Sequence, residues 1–188
     1  MPQEFSNEIV LRPATAADVP LIRSLIGELA DYEHLRDQVD ITEQGLQDAL
    51  FDRQAAFALV LEWQGRPAGY AIYFYSFSTF TGLSGIYLED LYVRPALRGK
   101  GIGRAVFTWL ARKACEEGCG RLEWECLTWN APSIAFYEKM GALLASRGIL
   151  LEFAAPSIAF YEKMGARAKN DWRGYRLAGD ALRTAAGL

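Results

Sequence analysis

The sequence predicts one α/β domain built on a mixed sheet. Three observations carry that reading: a meander of strand-like segments between residues 57 and 93, a strand–loop–helix–strand–helix run from 86 to 140, and a chain of 188 residues that is 51% apolar and 13% aromatic. A chain of that size buries one substantial core, and its apolar content is too high for disorder.

The elements follow in order. Ile9 to Leu11 reads as a short strand closed by Arg12-Pro13. Thr15-Ala16-Ala17-Asp18 is a capping box, and Val19, Ile22, Ile26 and Leu29 then recur at steps of three and four, predicting an amphipathic helix from Ala16 to about Glu33. Thr42 caps a shorter helix carrying Leu46, Ala49 and Leu50. Phe57 to Trp63 and Ala68 to Phe77 form a hairpin about Gln64-Gly65-Arg66-Pro67, and Ile86 to Val93 adds a strand with two acids in its middle. A helix from Arg104 to Glu117 ends at Gly118, a strand runs from Arg121 to Thr128, Asn130 caps a helix from Ala131 to Met140, and Trp172 to Leu177 is the last strand.

Composition excludes several classes. With 20 basic against 23 acidic residues, the net charge of −3 argues against a phosphate-tracking nucleic-acid surface. No apolar run approaches the length of a membrane span, and the first twenty residues lack the pattern of a signal peptide. Cys115, Cys119 and Cys126 are odd in number and contain no C-x-x-C pair, which suits reduced thiols in a cytoplasm. Cys115 and Cys119 lie one helical turn apart but lack further ligands at useful spacing, so no metal is expected. The single histidine, His34, has neither relay nor metal partners in view and reads as a helix-end residue.

One segment recurs. APSIAFYEKMGA stands at Ala131 to Ala142 and again, unchanged, at Ala155 to Ala166. Two copies are too few for a solenoid, so the reading is a tandem duplication of 24 residues within a single domain spanning 1–188.

Arg98-Gly99-Lys100-Gly101-Ile102-Gly103 lies between a strand and a helix, where glycines let backbone N–H groups converge and the helix adds its positive end. The product is a cradle for a phosphate or diphosphate. A Walker loop fails here, with Arg94 at its first glycine and Gly101 at its Ser/Thr; a dinucleotide fingerprint fails at Arg104.

The pattern R-x-x-G-x-G does fit, and resembles the coenzyme A diphosphate loop of the GNAT N-acetyltransferases. With YLEDLYVRPALRGKGIG (Tyr87 to Gly103), WNAPSIAFYEKMGA (Trp129 to Ala142) and the opening IVLRPATAADVPLIRSLIGELADYE, the chain is similar to the diamine (spermidine/spermine-like) acetyltransferases within that superfamily. The resemblance implies a GNAT fold: a mostly antiparallel mixed sheet, helices on both faces, and a cofactor cleft between two parallel central strands. It also implies acetyl-CoA as co-substrate without a metal, direct attack in a ternary complex and a small cationic amine as acceptor (diamine, polyamine or lysine-like amino acid); a homodimer is expected because Ile158, Phe160 and Tyr161 of the second repeat copy need a covering surface.

Such a transfer must remove a proton from an amine of pKa ~10.4, stabilise a carbonyl oxygen and release a thiolate. Glu89, in an otherwise apolar strand, is the candidate base on the expectation that partial burial raises its pKa. The alternative at Glu89 or Asp90 is pairing with a basic side chain at the strand end. The resemblance assigns amine binding and proton acceptance, through water, to Glu89, and hydrogen-bond donation to the leaving sulfur to Tyr137. It places coenzyme A against Leu91, Tyr92, Val93, Arg98, Gly99, Lys100, Gly101, Ile102, Gly103, Arg104, Asn130 and Ser133. Tyr32 and Glu33 join Glu89 at the substrate, with Asp37 and Asp171 as further acids and Tyr70, Tyr73 and Tyr75 as aromatic faces, at least two of them sheet packing instead.

The repeat leaves two arrangements open. Copy one follows Trp129-Asn130 and puts Tyr137 beside the thioester; copy two has Ala154 in place of Asn130 and offers Tyr161. We expect copy one, with a second helix beyond a strand-like stretch from Gly148 to Phe153. Alternative functions are a coenzyme A-binding protein whose site the duplication displaces, and a peptide or protein acetyltransferase.

Overall fold

The computed structural model describes residues 3–6, 8–141, 143–144, 162–165, 167 and 170–188. Its elements are β1 (Gln3–Ser6), β2 (Ile9–Pro13), α1 (Val19–Glu33), α2 (Glu43–Gln47), β3 (Phe57–Trp63), β4 (Arg66–Phe77), β5 (Ser84–Val93), α3 (Ile102–Glu116), β6 (Arg121–Leu127), α4 (Ala131–Lys139), β7 (Leu143–Leu144), β8 (Trp172–Ala178) and α5 (Gly179–Ala186). The strands form one mixed sheet in the order β1-β2-β3-β4-β5-β6-β8-β7, antiparallel throughout except where β5 meets β6. The stretch at 148–153 and Tyr161 of the second copy lie outside the described residues.

Local chemistry explains the element boundaries. Before α1, the Asp18 carboxylate accepts from the Thr15 N–H and hydroxyl, both at 2.8 Å, and forks onto Arg12. That ion pair holds the Asp18 carboxyl well below the usual carboxylate range, led by the hydrogen bonds from Arg12. Thr42 Oγ1 accepts from Gly45 N at 3.0 Å and starts α2. Gln64 and Gly65, both at positive φ, make the tight turn between β3 and β4.

Apolar periodicity sorts the helices onto the two faces. Val19, Ile22 and Leu25 of α1 join Leu46, Ala58, Tyr70, Ile72 and Tyr92 on one face. Val106, Phe107 and Leu110 of α3 and Leu182 and Ala186 of α5 cover the other, against Leu59, Leu61, Tyr73, Ile86, Leu88, Leu122 and Trp124. Each fully buried large side chain contributes roughly 1.5–3 kcal/mol, so the sheet is held from both sides.

Two features of β5 position the site. First, its parallel pairing with β6 runs only through Ile86↔Leu122, Tyr87↔Glu123 and Leu88↔Trp124, after which the strands part and leave a cleft. Second, β5 carries a bulge: Ile72 faces Asp90 and Tyr73 faces Leu88, so Glu89 is the extra residue. The bulge reverses the alternation of β5. Ile86 and Leu88 face α3, and past Glu89 that face is taken by Leu91 and Val93, while Tyr92 turns to α1.

Two terminal elements fall outside the sequence-based expectations. β1 pairs with β2, and α5 follows β8 directly, closed by Gly187 in a left-handed conformation. Elsewhere the expected strands and helices appear within about two residues of their predicted ends.

Candidate active site

The cleft encloses about 500 Å³ where β5 and β6 part, walled by the end of α1, the glycine loop with the start of α3, and the start of α4. Gly99 and Gly101 take φ of 78° and 88°, values that a Cβ would strain, and Gly101 is the residue before α3. Nothing lies within 4 Å of a Cβ at Gly99. A turn of this kind ahead of a fifteen-residue helix presents backbone N–H groups and a partial positive charge, which suits a diphosphate.

Of the residues expected to act in catalysis or to hold coenzyme A and the amine, all but Lys100 line this cleft: Tyr32, Glu33, Glu89, Leu91, Tyr92, Val93, Arg98, Gly99, Gly101, Ile102, Gly103, Arg104, Asn130, Ser133 and Tyr137. Lys100 does not; its ammonium lies over the Trp63 ring at 5.9 Å. Nor do Asp37, Asp171, Tyr70, Tyr73 or Tyr75. Tyr70 and Tyr73 are buried in the sheet, and Tyr75 bonds Glu117 at 2.6 Å.

Asn130 ties two walls together. Its buried Oδ1 accepts from Ser133 N at 3.3 Å, capping α4, and from the Tyr32 hydroxyl at 3.2 Å, anchoring the end of α1. The Arg98 guanidinium lies 4.2 Å from the centre of the Tyr32 ring, and its Nε donates to the Val93 carbonyl at 3.1 Å. Further back, Arg94 grips Glu28 at 2.7 Å and Pro67 O at 3.0 Å, while the Tyr92 hydroxyl donates to Glu28 at 3.2 Å. This pins α1 to β5, so Tyr32 and Glu33 reach the cleft at a fixed height.

The acids are arranged differently from the expectation. Glu89 is exposed, not partly buried as expected; the bulge turns it outward into the cleft mouth. The carboxyl that burial does affect is Asp90, pushed up to about 6 by desolvation against a hydrogen bond from Tyr70. Glu33 is pushed up to about 7 by desolvation and by the negative charge of Asp90. Neither Glu89 nor Asp90 is held by a basic side chain among the described residues. Asp90, expected only as an acid paired at the strand end, lines the cleft, and so do Trp124, Glu125 and Cys126, which the sequence did not single out for the site.

Tyr137 lines the same cleft, 9% exposed, with the rings of Trp124, Phe136, Phe107 and Tyr175 within 5.3 to 5.5 Å of its own. Burial pushes its phenol pKa above the ordinary value, with Cys126 and Glu33 adding to the rise. The hydroxyl therefore keeps its proton at neutral pH and can donate a hydrogen bond.

Confining Glu33 and Asp90 together costs stability once both are ionised. Glu33→Gln is expected to raise Tm by about 3–6 °C at pH 8, from roughly 1–2 kcal/mol of relieved repulsion and desolvation. Its folded pKa of about 7 exceeds the unfolded value, so this group favours the fold below about pH 4.5 and loses that contribution as pH rises through 7. At pH 5 Glu33 is protonated like the amide, and the two melting curves should coincide. A Tm difference that is the same at both pH values would contradict this arrangement.

Comparison with known proteins agrees with this geometry. Residues 23–142 match the acetyltransferase (GNAT) family model. A thialysine N-epsilon-acetyltransferase from Sus scrofa is 33% identical over 95% of this chain and 98% of its own, and an L-ornithine N5-acetyltransferase from Arabidopsis thaliana is 28% identical over 92% and 85%. The solved structure of yncA from Salmonella typhimurium with its cofactor acetyl-CoA superimposes with a TM-score of 0.65 over 92% of this chain and 94% of that one, at 20% identity, and so shares the fold. The chain belongs to the GNAT acetyltransferase family and is an acetyl-CoA-dependent N-acetyltransferase.

Proposed function

We propose that the cleft moves the acetyl group of acetyl-CoA to a primary amine of a small cation, a diamine, polyamine or lysine-like amino acid, by direct attack in a ternary complex. The observation that carries this reading is that three acids (Glu33, Glu89, Asp90) and a protonated phenol (Tyr137) line one cleft together with the glycine loop. When bound, the co-substrate supplies the thioester carbonyl and its leaving sulfur. The N–H groups of the Gly99–Gly103 turn, with Arg98 and Arg104, hold the diphosphate; Asn130 and Ser133 flank it; Leu91 to Val93 offer backbone bonds to the extended arm, and a main-chain N–H near Val93 polarises the carbonyl.

Tyr32, Glu33 and Asp90 hold the ammonium. Exposed Glu89 takes the proton through water, and an exposed carboxylate can pass it on to solvent. Tyr137 donates to the sulfur as negative charge gathers there; complete transfer from a phenol is uphill, so hydrogen bonding is its main contribution.

The relatives named for thialysine and ornithine support a small amino-group acceptor. Purified chain should release free thiol from acetyl-CoA only when such an amine is added, with acetylated thialysine, ornithine or spermidine detected by mass spectrometry. Thiol release with peptides alone, or cofactor binding without turnover, would overturn this reading.

We also read the chain as a cytoplasmic homodimer with both repeat copies in one domain. Three free cysteines support the compartment, and exposed Phe77, Phe80 and Leu83 near the tip joining β4 to β5 support a partner surface. No helix among the described residues is long and apolar enough to cross a membrane.

A further inference from the structure

Tyr70 has no part in the reaction as described, yet its polar atom is placed with care. It sits in β4, fully buried among Val19, Ile22, Leu25 and Tyr92, where packing alone would be served by phenylalanine. Burying a hydroxyl without a partner is unfavourable, so its bond matters. That bond runs to Asp90 Oδ2 at 3.0 Å.

The bulge at Glu89 makes the contact. In a regular strand Asp90 would point with Ile86 and Leu88 towards α3; the extra residue turns it to the α1 face, where Tyr70 and Glu33 lie. Asp90 forms no ion pair among the described residues, although it is a carboxylate lining the cleft.

We propose that Tyr70 is a positioning residue for amine recognition: its O–H occupies one oxygen of the Asp90 carboxylate and fixes the other towards the cleft, where it takes the substrate's positive charge beside Glu33. This inference rests on the amine-acetylation reading above. It adds that the fixed Asp90–Glu33 pair, and not the exposed Glu89, sets affinity for the cation.

The bond has an electrostatic consequence as well as a geometric one. The groups facing Asp90 are Tyr70 from β4, Glu89 from β5 and Glu33 from α1, with Tyr92 beyond Tyr70. Burial and Glu89 favour its neutral form; the hydrogen bond from Tyr70 favours the charged form. Removing the hydroxyl therefore moves the ionisation of Asp90 to higher pH and weakens cation binding most on the acidic side of neutrality.

The test is Tyr70→Phe, read by calorimetric titration of thialysine and of spermidine into the coenzyme A-saturated protein from pH 6 to 9, alongside kcat and KM. We expect Kd for the better-bound amine to rise about tenfold at pH 6.5, as for loss of a hydrogen bond to a charged group, and to approach wild type at pH 9. The pH midpoint of binding should move up by about one unit, with KM for acetyl-CoA unchanged and Tyr73→Phe behaving as wild type. In an Asp90→Asn background the Tyr70 substitution should add nothing, which keeps the test valid if the single variant is poorly folded.

Equal weakening at every pH, or none, would overturn the positioning role while leaving the reaction intact. Binding with the expected Tyr70 dependence but without acetylation would instead uphold the role and overturn the catalytic reading. A wild-type protein that binds neither amine would overturn both.

Discussion

Tyr137→Phe is expected to lower kcat for amine acetylation by about 10²–10³-fold, with little change in the KM of acetyl-CoA, the magnitude typical of a positioned proton donor. The variant keeps the ring, so the packing against Trp124, Phe107 and Tyr175 is preserved and the loss is confined to the hydroxyl. An interaction made only as charge develops on sulfur lowers kcat and kcat/KM together. The duplication sharpens the test, because Tyr161 has an identical sequence neighbourhood. Tyr161→Phe should leave the rate near wild type, since Tyr137 lines the cleft and its helix is the one capped by Asn130. A reversed ranking would assign the active helix to the second copy. Full activity in both variants would remove the phenol from the mechanism.

The surroundings of the acid and of the base differ in a way that matters for this result. Tyr137 is enclosed by four aromatic rings, whereas Glu89 in the same cleft is exposed. The acid group works from a dry, fixed position and the base from a wet one. That division fits a reaction in which a proton must leave to solvent on one side and be withheld from it on the other.

Much of this was legible in the chain. Period-two and period-3.6 patterning placed the meander, α1 and α3, because those segments alternate cleanly between a buried and a solvated face. The glycine loop and the Asn130 cap were legible because each depends on local chemistry within a few residues. What failed at β5 was the expectation that Glu89 is partly buried. Ile86 and Leu88 lie at even positions and Leu91 and Val93 at odd ones, all on one face, so the parity change across Glu89-Asp90 was itself the mark of a bulge. Without it, Glu89 was assigned the burial that belongs to Asp90. The Tyr70–Asp90 bond spans twenty positions, a pairing that no local pattern reveals. α5 was missed although Asp180 in its first turn and Gly187 at its end are ordinary helix signals.

The same strand pair yields the largest stability effect. Gly69→Ala is expected to destabilise the fold by about 3–5 kcal/mol and lower Tm by about 10 °C, because the new Cβ has nowhere to go. Gly69 pairs with Val93, and a Cβ there would be driven into the Tyr92 carbonyl oxygen with the Tyr92 carbonyl carbon and Val93 Cα just behind it. These are backbone atoms of β5, so no side chain can rotate away; the strands must separate. Tyr92 and Val93 both line the cleft, and Val93 O is the acceptor of Arg98. Separation would therefore weaken cofactor binding as well as folding, and thermal melts with and without coenzyme A should show a smaller ligand-induced rise in Tm for the variant than for wild type. Gly103 offers the contrast within the same cleft: a Cβ there meets only the Phe136 ring at 3.4 Å, an ordinary contact, and Gly103→Ala should cost far less stability. Equal melting temperatures for Gly69→Ala and wild type would mean that β4 and β5 do not approach as closely as this register requires.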